Sequence, residues 1–165
     1  MSGQGGGKRR LGAERDLLAG LHRFASEMTI SQMVVFFGRQ DVRFTKTMIQ
    51  NYVRIGLLPP PVSKRFYHFG HLALLTIIDA CKDVLSLDEM KIFFRFSGID
   101  FENFENEREK TEIFYRQFLD LRDEIAHKMR NAYEGESADR CQSAMFYILT
   151  SAAALKAAQV HLLPD

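Results

Sequence analysis

The run of residues 44–69, FTKTMIQNYVRIGLLPPPVSKRFYHF, constrains the fold most, because it begins as a helix that has to stop abruptly. Thr45 suits the N-cap, where its hydroxyl accepts a bond from a free N–H of the first turn. Ile49, Tyr52 and Val53 recur at helical spacing and are expected to face a core. Gly56 suits the C-terminal end, and Pro59, Pro60 and Pro61 forbid continuation. The spacing predicts a helix over 45–55. Its other face carries Lys46, Gln50 and Arg54 at i, i+4 and i+8, with Thr47 and Asn51 beside them and no acidic residue. Such a stripe suits DNA, since Gln and Asn can bond adenine edges at two points and Arg can do so with guanine.

The flanking segments extend this pattern. Lys64 and Arg65 lie among aromatics in KRFYHF, which fits a short hairpin, or wing, that presents cations while the rings pack it down. Leu72, Leu75, Ile78 and Ala80 predict one apolar helix. Ser86 opens another, with Ser86 and Glu89 placed as a capping box. Upstream, Ser31 is expected to cap a short helix over 32–37, and 38–43 forms the turn into the Thr45 helix. These two helices are the candidate helix-turn-helix. Leu17, Leu18, Leu21, Phe24 and Met28 mark an amphipathic helix over 13–28, expected to pack against it.

Helix, Ile-Gly-Leu-Leu-Pro, an Arg-x-Tyr wing, helix, then Leu-Ser-Leu-x-Glu resembles the winged-helix DNA-binding domain of the MerR regulators. It resembles still more closely a bacterial family that is described as a domain of unknown function and has a MerR-like domain. The motif residues span about a third of the chain. The resemblance places the family's wing Arg and Tyr on Arg65 and Tyr67, and its acidic second-helix pattern on Leu87, Asp88 and Glu89. It implies a DNA-binding set of Arg43, Thr45, Lys46, Thr47, Gln50, Asn51 and Arg54, with Lys64, Arg65 and Tyr67 on the wing. Two departures stand out. MerR recognition helices usually carry Arg-Tyr-Tyr-Asp where this chain has Gln50, Asn51, Tyr52 and Val53, and the usual Gly between the last two helices is Val84.

Charge agrees with a nucleic-acid surface at one end only. The net charge of the 165 residues is +1, so the chain is not basic overall. Residues 39–72 nevertheless hold six Arg or Lys against one Asp, whereas 100–112 are strongly acidic. One end can meet phosphate and the other cannot.

Beyond Gly98, residues 102–132 carry a long helical pattern. Phe114, Phe118, Leu121 and Ile125 form a narrow seam of the coiled-coil kind. Glutamates crowd its start and His127, Lys128 and Arg130 its end, as the helix dipole favours. Ser137 is expected to cap a final helix to about residue 160, apolar nearly all round. This hairpin is read as a dimerisation element, which is also where MerR proteins place theirs; the rival is that it folds back on 13–28.

Other chemistry finds little support. His22, His68, His71, His127 and His161 are scattered, and none sits in a nucleophile pattern. No Cys/His cluster has zinc-ligand spacing, so neither metal nor cofactor is expected, and no enzyme. Cys81 and Cys141 are read as buried free thiols, a disulfide being the alternative. Phe93, Phe94, Phe96, Phe101 and Phe104 are read as core, with an effector pocket as the other use. No secretory signal is evident, and the most apolar window, 144–158, is too short to span a bilayer and is interrupted by Lys156. The expected location is the cytoplasm.

The expectation is a mainly α chain in three parts. Residues 1–10 form a flexible basic tail, 11–97 a MerR-type winged helix-turn-helix with its preceding helix, and 98–165 a helical dimerisation hairpin. The expected function is a transcriptional regulator that binds duplex DNA as a dimer, with a helical protein-interaction module as the alternative.

Overall fold

The structure is a computed structural model and describes residues 16–19 and 27–133. Among these residues the fold is mainly helical: α1 (Ile30–Gly38), α2 (Lys46–Arg54), α3 (Phe69–Cys81), α4 (Leu87–Phe96), a 3-10 turn (Phe104–Asn106) and α5 (Arg108–Tyr133). The basic tail, most of the expected 13–28 helix, Cys141 and the final helix lie outside the described residues.

Each start has a local cause. Thr29, not Ser31, caps α1, so that helix begins two residues before the expected 32–37. Its hydroxyl accepts from the Gln32 N–H, and the Gln32 side chain accepts from the Thr29 N–H at 2.8 Å, a reciprocal box that Ser31 has no partner to form. Thr45 caps α2 as expected, accepting from the Met48 N–H at 3.1 Å. Ser86 and Glu89 cap α4 reciprocally. At the end of α2, Gly56 takes φ +74°. That left-handed turn lets Gly56 N–H reach the Val53 carbonyl and Leu57 N–H reach that of Tyr52, closing the helix before the prolines are met.

The core is built around α3, in which every residue from Phe69 to Ile78 is buried. Ala80, expected on the apolar face, is instead exposed, while its neighbour Cys81 packs against the core. α1, α2 and the turn between them join the core through Met33, Phe37, Phe44 and Ile49, with the Phe37 and Phe44 rings edge to face at 5.0 Å. α5 delivers Tyr115, wholly buried, against Phe69. Its hydroxyl donates to Asp16 Oδ1 at 2.8 Å, which fixes the short N-terminal piece and its buried Leu18. The expected seam divides. Phe114 packs on Phe93 and Phe94 and Phe118 on the core, whereas Leu121 and Ile125 are 58% and 51% exposed.

Two single β-bridges stand where a wing of paired strands was expected. Val62 pairs with Phe66 across a turn in which Ser63 and Lys64 both have positive φ. Met28 pairs with Tyr67 through bonds of 2.7 and 2.8 Å. Met28 is therefore extended backbone, not the last turn of a helix. Among the described residues no helix is long and apolar enough to cross a membrane.

Candidate nucleic-acid interface

The outer face of α2 is set by its inner one. Ile49 and Tyr52 are buried, so the residues out of phase with them are turned to solvent. Lys46, Thr47, Gln50 and Arg54 are exposed, and Arg43 and Thr45 are exposed just ahead of the helix. Asn51 is half-buried and its Oδ1 accepts from Arg54 Nη2 at 2.6 Å, so the amide steadies the guanidinium beside it. The Thr45 hydroxyl oxygen is engaged by the cap.

Lys64 and Arg65 project from the exposed tip of the 59–67 loop. The Arg65 guanidinium lies over the Phe66 ring, 5.7 Å from its centroid, which gives an exposed cation an apolar rest. Tyr67 differs from the other candidates. It is 5% exposed, its backbone is tied to Met28, and its ring meets His71 edge-on. Burial pushes its phenol pKa up, so the hydroxyl stays neutral.

A cleft of about 510 Å³ separates α2 from this loop. Gln50, Lys64, Arg65 and Tyr67 line it, together with Thr29, Ile30, Ser31 and Pro61. The fold thus gathers four of the ten sequence candidates in one place. Arg43, Thr45, Lys46, Thr47, Asn51 and Arg54 do not line the cleft. Thr29, Ile30 and Ser31 were not candidates, although Thr-x-x-Gln already marked where α1 begins. The lining holds two cations and no carboxylate, so the cleft favours an anionic group.

His68 and His71 cap and pack the start of α3. His71 is wholly buried, with Nδ1 accepting from the His68 N–H at 3.2 Å and Nε2 donating to the Pro60 carbonyl at 3.0 Å. Burial first, and His68 second, hold its pKa down to about 3. Cys81 is a half-buried free thiol whose pKa burial raises. Among the described residues no cluster of three His, Cys, Asp or Glu is placed to hold a metal.

Residues 27–118 match the family described as Domain of unknown function (DUF1836), and the chain belongs to that family. The match runs from the Met28 bridge to residue 118, within α5. No curated protein and no solved structure matches the chain.

Proposed function

We propose that this member of the DUF1836 family is a transcriptional regulator of MerR-like type that binds duplex DNA as a dimer. The observation that carries the reading is the exposed, acid-free stripe of Lys46, Thr47, Gln50 and Arg54 beside a loop tipped with Lys64 and Arg65. A helix about this wide fits the major groove, and polar side chains on its outer face reach base edges. In this reading α2 enters the groove, with Gln50 and Arg54 touching bases. Lys46 and Arg43 meet the flanking phosphates. Lys64 and Arg65 act as wing cations on the neighbouring backbone, and such contacts position the protein without reading sequence. The likeness of residues 54–60, Arg65 and Tyr67 to MerR regulators supports the same assignment. Leu121 and Ile125 on α5, exposed among the described residues, support a second copy at that end.

The test is duplex affinity over a salt series, with light scattering for the assembly. Wild type should bind and should weigh twice the chain mass. Arg65→Ala should weaken specific and random duplexes alike and reduce the salt slope by about one charge. Gln50→Ala should lose about 1–3 kcal/mol on the cognate site and little on random DNA. A folded protein that binds no duplex at low salt would overturn the reading.

A further inference from the structure

Both ends of the 59–67 loop rest on one imidazole. At the entry, His71 Nε2 donates to the Pro60 carbonyl at 3.0 Å. At the exit, the Tyr67 ring meets the His71 ring edge-on, with centroids 5.1 Å apart. Between them the Val62–Phe66 bridge makes the loop a single hairpin, so holding its two feet holds its tip. His71 itself is fixed from beneath. Its Nδ1 accepts from the His68 N–H, and His68 in turn accepts from the Gly70 N–H at 3.0 Å.

A third element closes this cluster. Phe104, in the turn just ahead of α5, stacks on His68 at 5.0 Å and meets His71 edge-on at 4.7 Å. The approach depends on Gly70. A Cβ there would lie 2.9 Å from both Phe104 Cζ and His68 Cε1. The one residue of α3 without a side chain therefore sits where Phe104, just ahead of α5, packs on the two histidines.

We infer that His71 is a positioning residue for Lys64 and Arg65, and that Phe104 ties their position to the root of α5. The inference rests on the DNA-binding reading for its consequence, because displaced cations matter only if they meet a phosphate. Its physical content does not need DNA. Losing the Pro60 bond frees one foot of the loop, and losing the Phe104 ring loosens the support behind it.

Trypsin provides the measurement, since Lys64 and Arg65 are its exposed targets at the loop tip. Fragments ending at these residues are followed by mass spectrometry in the native full chain, with thermal melting alongside. His71→Leu should raise the rate of this cut about five- to tenfold, as expected for one lost hydrogen bond. His71→Gln, which keeps both a donor and an acceptor, should restore the slow rate. Phe104→Leu should raise the rate about threefold through the lost ring contacts. A folded His71→Leu cut at the wild-type rate overturns the inference. If His71→Leu does not fold, Phe104→Leu decides, and a wild-type rate there overturns it. Duplex affinity separates the two layers. If wild type binds DNA, His71→Leu should lose affinity and salt slope as Arg65→Ala does, and unchanged binding overturns the positioning role. If wild type binds no duplex, the DNA reading falls and the cleavage rates alone decide whether His71 anchors the loop.

Discussion

α2 and α3 are successive helices of the same fold with opposite surfaces. α3 is buried all the way from Phe69 to Ile78 and carries no charge until Asp79. α2 buries only Ile49 and Tyr52 and leaves Lys46, Thr47, Gln50 and Arg54 exposed. A helix packed on every side has no face left for a ligand, so its side chains serve packing. A helix held by one narrow stripe keeps most of its circumference free. The contrast separates the residues that hold the fold from those that can act.

The largest expected effect is therefore on α3. Leu75→Ala should cost about 2–5 kcal/mol in urea unfolding, because Leu75 is wholly buried and the cavity cannot collapse among packed neighbours. A loss under 1 kcal/mol would break the distinction between the two helices.

Acid should act next, again through α3. The folded pKa of His71, about 3, lies well below its ordinary value of 6.5, and His68 is lowered too, by burial first and Arg108 second. Between these limits the unfolded chain binds more protons, so stability rises with pH. It should be complete above about pH 6.5 and fall toward pH 3 by up to about 1.4 kcal/mol per unit for His71 alone. Protonated Nδ1 atoms would face the His68 and Gly70 N–H groups, so the N-terminal box of α3 opens. Chemical unfolding at pH 7 and pH 5 checks this, and equal stability would remove it.

Smaller effects sharpen the comparison. Tyr115→Phe should cost about 1.5–3 kcal/mol, the range for a hydrogen bond to a carboxylate, here the part-buried one to Asp16. Thr45→Ala should cost about 1 kcal/mol by removing the cap of α2. Gln50→Ala should change melting by no more than about 0.5 kcal/mol, because its side chain is exposed. Destabilisation by Gln50→Ala as large as that by Thr45→Ala would mean that the outer face of α2 is also structural.

What the sequence made legible was local. The cap at Thr45, the stop at Gly56 and the box at Ser86 each involve residues within a few positions, so their chemistry can be read directly. Thr29 was misplaced to Ser31 because two hydroxyls compete there, and only Gln32, three residues after Thr29, decides between them. Contacts across long separations were not legible. Nothing local pairs Met28 with Tyr67, or Tyr115 with Asp16. The α5 seam shows the same boundary. Its spacing marked an apolar stripe correctly, but periodicity is blind to whether a stripe meets its own core, as Phe114 does, or faces outward, as Leu121 does. For the candidate site, the α2 stripe was readable from period alone. The cleft joining Gln50 to Lys64 and Arg65 depends on how the loop folds back, which His71 and Tyr67 control from further along the chain.

The ends of α2 are held by Thr45 and by the left-handed turn at Gly56, and its seat by Ile49 and Tyr52. Lys46, Thr47, Gln50 and Arg54 take part in none of these. The helix thus behaves as a holder with exchangeable type: its letters can be reset one by one while the press stays intact. If α2 reads DNA as proposed, a change of target asks only for new side chains on an existing face.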